Sequence, residues 1–360
     1  MERLHIAFFG PTNSGKSTLV NAICGQEVSL VSEVPGTTTD PVRKTAELPG
    51  LGPCVLIDTA GLGDESALGA ERERRTRAIL DETDVAVLLG DVDLDDDVPT
   101  VRYTRGESIE SLLERIAAVA PREEARFLTG SLVGAGSTVV LVMPQDSEAP
   151  KGRLILPQVQ VLRELLDRGC VALCCTPDAL QATLGSLSGM PDLVITDSQV
   201  FGFVEKTIPA DCPLTSFSVL LAAAKGDVRV FVEGARAIAR LRPGDRVLIA
   251  EACTHVPNTE DIGRVKIPAL LRKRVQMADQ VGHDVTPGST GSLEVDIAAG
   301  NDFPEDLTPY ALIIHCGACV ANARVVRSRI KKALRAGVPI TNYGIAIAYL
   351  QGILDRIVLP

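Results

Sequence analysis

The chain has 360 residues, 46% of them hydrophobic and 23% charged, a composition that excludes intrinsic disorder and leaves room for two or three folded domains. Its 36 basic residues against 46 acidic ones give a formal net charge of −10, so nothing draws it to a phosphate backbone and no nucleic acid is expected as a partner. No apolar run is long enough to span a bilayer, and MERLHIAFFG passes directly into a glycine motif without room for a signal peptide, so no membrane association and a cytoplasmic location are expected.

Short apolar runs alternate with helical patterns from residue 4 to 120: HIAFF then STLVNAIC, CVLID then ERERRTRAILDE, DVAVLL then SIESLLERIAAVA. This alternation predicts a phosphate-binding α/β domain over 1–122, followed by PREEARF (121–127) as a linker. TVVLVM, PQVQVLRELLDRG, CVALCC, DALQATLGSL and DLVITD predict a second α/β unit over 128–212. It has no dense set of polar groups and reads as a structural or dimerising module. The third unit, 214–360, opens with two helical stretches, SFSVLLAAAKG and VRVFVEGARAIARL. RVLIAEA, LEVDIA, YALII and VPITN then alternate with helices, which predicts a mostly parallel sheet. The basic runs LLRKRV and VVRSRIKKALR read as charged faces of amphipathic helices. No internal repeat is discernible. The predicted class is α/β in three units.

GPTNSGKS (10–17) fits G-x-x-x-x-G-K-S between an apolar strand and an apolar helix. Gly10, Asn13, Ser14, Gly15, Lys16, Ser17 and Thr18 would form a phosphate cradle, with Lys16 on the β- and γ-phosphates and the Ser17 hydroxyl on Mg²⁺. VPGTTTD adds Thr37 and Thr38 as hydroxyls for Mg²⁺ and the γ-phosphate. LIDTAG adds Asp58, to hold Mg²⁺ through water, and Gly61, whose N–H would sense the γ-phosphate. In this order the motifs resemble the TrmE/Era-like translation-factor GTPases. The resemblance implies GTP as nucleotide, and Asn13 matches the asparagine that accompanies K⁺ activation in that group. Leu62 stands where a water-orienting glutamine is found in Ras-like enzymes. One departure is plain: no N-K-x-D motif follows DVAVLL. GDVD (90–93) leaves Asp93 as the acidic end of a degenerate version with Asp91 in the lysine position, and a helix and strand of the usual domain are missing.

Nine cysteines, an odd number scattered along the chain, argue against a disulfide framework. Cys24, Cys54, Cys170, Cys174 and Cys175 sit in apolar stretches and are expected to be buried. CTH (253–255) and HCGAC (315–319) instead combine Cys253, His255, His315, Cys316 and Cys319, including two of the four histidines. Three chemistries suit them: a dithiol of Cys316 and Cys319, a zinc site closed by four of the five, or a [4Fe-4S] cluster on three cysteines with a weaker fourth ligand. Both groups fall at the carboxyl ends of predicted parallel strands, and Cys319 is expected in the first turn of the following helix.

With the GTPase motifs, the whole chain resembles the [FeFe]-hydrogenase maturation GTPases, the HydF family. That resemblance implies a [4Fe-4S] cluster on Cys253, Cys316 and Cys319 with an exchangeable fourth position. His255 and His315 would be a fourth ligand or groups orienting the thiolates, with Glu260 and Asp261 as further candidates. It also implies a homodimeric scaffold that carries a di-iron precursor from radical-SAM maturases to apo-[FeFe]-hydrogenase, with GTP hydrolysis as a switch. The alternative is a GTPase with a structural zinc module in RNA modification or ribosome assembly, which the acidic balance disfavours.

Overall fold

A computed structural model describes residues 3–25, 41–62, 76, 78–94, 97–121, 127–145, 152, 154–252, 261–281, 292–300, 302–319 and 321–360. Thr37, Thr38, Cys253, His255, Glu260 and most of the expected linker lie outside them. The chain divides into two compact units, Met1–Glu124 and Ala125–Pro360.

The first unit is a five-stranded sheet of β1 (Leu4–Phe9), β2 (Val42–Leu48), β3 (Gly52–Asp58), β4 (Val85–Leu89) and β5 (Thr100–Tyr103), in the order β2-β3-β1-β4-β5. β1, β3 and β4 read as nearly unbroken apolar runs because apolar clusters cover both faces of the sheet. β2 lies antiparallel at one edge, with polar VRKTA exposed or half-buried. Helix α1 (Lys16–Cys24) follows β1, and α2 (Ile109–Val119) starts at Ser108, whose hydroxyl accepts from Ser111 N at 3.2 Å. β5 lies parallel and directly beside β4, from Ala86↔Thr100 to Leu89↔Tyr103. Parallel neighbours usually need a helical crossover; among the described residues between them there is no helix, as the shortened sequence implies.

The second unit contains two four-stranded parallel sheets. The first holds β6 (Thr138–Val142), β7 (Val171–Cys175), β8 (Leu193–Thr196) and β9 (Leu214–Ser216), ordered β7-β6-β8-β9. The second holds β10 (Arg246–Glu251), β11 (Glu294–Ala299), β12 (Leu312–His315) and β13 (Ile340–Asn342), ordered β11-β10-β12-β13. In chain order these are the same topology twice. The helices are α3 (Leu156–Asp167), α4 (Leu180–Gly185), α5 (Phe201–Thr207), α6 (Phe217–Lys225), α7 (Val228–Arg236), α8 (Ile267–Val281), α9 (Ala323–Arg335) and α10 (Tyr343–Leu350).

The correspondence extends to single bonds. Asp192 N donates to Thr138 O at 2.9 Å, and Ala311 N to Arg246 O at 2.8 Å; Val194 N donates to Pro213 O at 2.9 Å, and Ile313 N to Pro339 O at 2.9 Å. Gly136 and Gly244 precede the two first strands with φ of 84° and 88°. PLTSFSVLLAAAKG (213–226) then aligns without a gap on PITNYGIAIAYLQG (339–352). The expectation of no repeat is therefore corrected. Connections of unequal length, notably between the first and second strands of each half, leave no constant period to detect.

The halves meet in reciprocal contacts. Ser218 and Gly344 are equivalent and touch: a Cβ on Gly344 would lie 2.1 Å from Ser218 Oγ. After the first half, α7 packs on β13 so closely that a Cβ on Gly234 would lie 1.9 Å from Ile340 O. After the second half, the chain returns beside β9, with Val358 N donating to Leu214 O at 2.8 Å. Each half thus covers the other's edge strand, as about an approximate two-fold axis, and one apolar cluster takes Val140, Val194, Phe231, Leu248, Ile313 and Ile345 from both. The expected boundary at 212–214 falls ahead of β9, which completes the first sheet.

Candidate functional site

In the first unit, the segment after β1 turns through Asn13 (φ 63°) and Gly15 (φ 93°) into α1. Gly10 has no room for a side chain, since a Cβ would lie 2.5 Å from Leu89 O. Lys16 is buried, and its Nζ donates to Gly10 O at 3.0 Å and Pro11 O at 2.9 Å. Desolvation lowers its pKa, opposed by the charge of Asp58. Asp58, at the end of β3, is 3% exposed. Burial raises its pKa, while the Ser17 hydroxyl, Lys16 and Lys44 pull it down. Asp58 Oδ1 has no hydrogen-bond partner among the described residues. A buried, orphaned carboxylate oxygen beside Ser17 fits a hydrated Mg²⁺. Gly61 packs on the phosphate loop, where a Cβ would lie 2.2 Å from Thr12 Oγ1, and Leu62 N donates to Gly10 O at 3.0 Å. Gly10, Asn13, Ser14, Gly15, Lys16, Ser17, Asp58 and Gly61 are thus gathered at the carboxyl ends of β1 and β3, and Thr18 is exposed in the first turn of α1. Asp93 is exposed and paired with Arg102 of β5.

In the second unit, β12 lies parallel to β10 with Ala250 opposite His315, and Cys316 N donates to Ala250 O at 2.9 Å. This brings the chain leading to Cys253 beside Cys316. Cys316 Sγ accepts from Ala252 N at 3.1 Å and Ala318 N at 3.4 Å. Ala318 sits at φ 51°, a left-handed turn between the cysteines. Cys319 does not enter a helix as expected. The turn carries the chain onward to Asn322, which caps α9 by accepting from Val325 N at 3.2 Å.

His315 is fully buried with both ring nitrogens engaged. Nδ1–H donates to Cys316 O at 2.7 Å, and Nε2 accepts from Arg329 at 3.1 Å. Burial, then Arg329, lowers its pKa to about 3, against the pull of the Cys316 carbonyl. In this placement His315 offers a metal no lone pair; it orients the peptide of Cys316. Arg329 also donates to Glu251 O at 3.1 Å and lies over the Phe303 ring. The amphipathic reading put the basic residues of its helix on a solvated face, whereas Arg329 is 5% exposed. Among the other cysteines, Cys54 and Cys170 are buried as expected. Cys174 is exposed instead, because β7 is the outer strand of its sheet.

Cys316 and Cys319 line a cavity of about 340 Å³ between the two sheets. Its walls correspond by the repeat. Phe217, Leu221 and Asp197 from the first half face Tyr343, Ile347 and Cys316 from the second. Both sheets present the crevice between their first and third strands, where parallel sheets bind ligands. Glu251 lines it, ion-paired to Arg264 at 2.8 Å. Asp261 is 4% exposed and caps a π-helical turn by accepting from Arg264 N at 2.8 Å. Burial, then Cys316 and Glu251, keep the Tyr343 phenol protonated above its ordinary range. Two thiols on one wall, one of them accepting two N–H bonds, are a donor set that fits iron–sulfur ligation.

Comparison with known families divides the chain in the same way. The hydrogen maturase F dimerization domain matches 128–226, its tetramerization domain matches 229–360, and a 50S ribosome-binding GTPase domain matches 5–126. The chain is a HydF-like GTPase. Among curated relatives of this HydF-like GTPase, the tRNA modification GTPase MnmE of Nitrosospira multiformis is 45% identical over 91 residues, 25% of this chain and 20% of that protein. GTPase Der of Clostridium botulinum is 43% identical over 94 residues, 25% of this chain and 21% of that protein. The chain thus spans about a fifth of the length of these relatives. A solved S. thermophilus NFeoB mutant bound to GMPPNP is 17% identical, covering 32% of this chain and 62% of that one, with a TM-score of 0.25. No helix among the described residues is long and apolar enough to cross a membrane.

Sequence reasoning missed Lys225, Arg329 and Asn342 around the cysteine loop of this HydF-like GTPase. Lys225 donates to three carbonyls of that loop, and Asn342 Nδ2 donates to Cys316 O at 3.3 Å. The one available signal was a lysine or asparagine at the end of an otherwise apolar run.

Proposed function

We propose that this hydrogenase-maturation GTPase is a scaffold and carrier for the di-iron precursor of the [FeFe]-hydrogenase active site. A [4Fe-4S] cluster would be held by Cys253, Cys316 and Cys319, leaving one iron for an exchangeable ligand. Bound there, the cluster would supply an open iron site; the chain's part is to seat it and exclude water. The observation that carries the reading is the placement of Cys316 and Cys319 on one wall of a cavity between the two sheets, in a chain whose residues 128–226 and 229–360 match hydrogen maturase F domains. His255, Glu260 and Asp261 remain candidate fourth ligands, alongside an exogenous one. GTP would bind with Mg²⁺ on Ser17 and, through water, Asp58, with Thr37 and Thr38 closing the site and K⁺ beside Asn13. Hydrolysis would switch association with radical-SAM maturases and the apo-hydrogenase, and the oligomer would be at least a homodimer.

Anaerobic purification with iron and sulfide tests this directly. The expected product is brown, with cluster absorbance and a reducible paramagnetic signal, both lost in Cys253→Ser. Colourless protein holding one zinc per chain would refute it.

A further inference from the structure

Positions 225 and 351 are equivalent in the two halves, each at or just past the end of the helix that follows the fourth strand. Each reaches the segment that follows the third strand of the opposite half. Gln351 does so with a neutral amide, its Oε1 3.4 Å from where a Cβ would stand on Gly202. Lys225 does so with an ammonium. It is 6% exposed, and its Nζ donates to Ala318 O at 2.7 Å, Cys319 O at 3.4 Å and Ala321 O at 2.7 Å. Gly202 lies in α5 whereas Ala321 precedes the cap of α9, so the two equivalent positions meet the opposite half by different means, Gln351 by close approach and Lys225 by hydrogen bonds.

The charged version falls where the backbone needs support. Ala318 holds a left-handed conformation that is strained for a non-glycine residue and persists where the surroundings over-determine it. Three carbonyls within four residues, gathered on one ammonium, curl this segment around Lys225. The curl leaves Cys316 and Cys319 on the cavity wall.

We infer that Lys225 is a positioning residue for the cysteine loop, holding its left-handed turn and placing a buried positive charge behind the thiolates. The inference rests on the cluster reading of Cys253, Cys316 and Cys319. A cluster on three thiolates is anionic and gains a further negative charge on reduction, so a fixed cation beside it favours the reduced form and raises the potential. The position itself does not demand a charge, since its equivalent in the second half is the neutral Gln351.

The test uses the full chain, wild type, Lys225→Gln and Lys225→Arg, reconstituted anaerobically with ferrous iron and sulfide. Lys225→Gln is expected to shift the cluster midpoint to more negative potential in an EPR-monitored titration. It should also speed iron loss to a chelator by about 10–100-fold, the usual effect of removing a group that orients a metal ligand. Lys225→Arg should restore both. In the metal-free chain, amide exchange over residues 316–321 should be faster in Lys225→Gln than in wild type. An unchanged midpoint and iron-release rate in Lys225→Gln would overturn the proposal. If Lys225→Gln fails to fold, a negative shift in Lys225→Arg, which keeps the charge, overturns it instead. Wild-type protein that takes up no iron defeats the cluster reading, and the charge role with it. The exchange comparison then decides separately whether Lys225 orders the loop, and unaltered exchange overturns that role.

Discussion

Replacing a helical glycine by alanine ordinarily stabilises a protein by about 1 kcal/mol, through helix propensity. Gly234→Ala should do the opposite. It lies in α7, and its Cβ would stand 1.9 Å from Ile340 O, 2.5 Å from Ile340 C and 3.1 Å from Ile340 N. These are backbone atoms of β13, so no rotamer change relieves the contact. An ordinary carbon–oxygen approach is about 3.3–3.6 Å, so the helix must retreat by roughly 1.5 Å. A gap of about 1 Å already forfeits up to half of a dispersion contact. The side chains that would lose contact include Phe231 and Ala235, both fully buried in the core shared by the two halves. Full truncation of a buried Phe costs about 3–5 kcal/mol, so partial loss over this face should cost about 2–4 kcal/mol. That exceeds the propensity gain and leaves a net loss of about 1–3 kcal/mol. Urea unfolding of the metal-free chain, followed by far-UV circular dichroism, measures it as a lower midpoint at unchanged slope. A midpoint equal to or above wild type would show that α7 does not pack on β13 as described.

Lys16→Ala should weaken binding of a fluorescent GTP analogue by about 10–100-fold, the worth of one or two hydrogen bonds to a charged group; unchanged affinity would mean that the phosphates sit elsewhere. Gly61→Ala should also weaken it, because its Cβ would displace Thr12 of the phosphate loop, and the unfolding midpoint will tell a local effect from a global one. Arg329→Leu leaves His315 Nε2 and the carbonyls of Glu251 and Gly300 without this donor and should cost about 3–5 kcal/mol in urea unfolding. A loss below about 1 kcal/mol would place that cation in solvent instead.

What could be read from the sequence was local. GPTNSGKS packs its cradle, cation and metal hydroxyl into eight consecutive residues, so its geometry follows from its spacing. HCGAC and the strand before it were legible for the same reason. The groups that hold that loop come from afar: Lys225 is more than 90 positions from the carbonyls it binds. Arg329 looked like a solvated helix charge, because composition alone does not distinguish the buried residues of a basic helix from the exposed ones. Cys174 misled in the reverse sense, since an apolar run does not reveal that its strand lies at an edge. The duplication escaped because insertions of different length shift each strand by a different amount.

The near two-fold between the halves also sets what the cavity can become. In an assembly of two identical chains, every change to one wall is imposed on the other, so a wall of cysteines would face its own copy. Here both walls belong to one polypeptide and are free to diverge. Asp197 and Ser198 stand opposite Cys316 and Gly317, and the serine cluster of Ser198, Ser216 and Ser218 lies on the side that carries no thiol. Joining the copies in one chain is what permits a cavity with thiols on one wall and serine hydroxyls on the other, and so a direction along which its contents can be oriented.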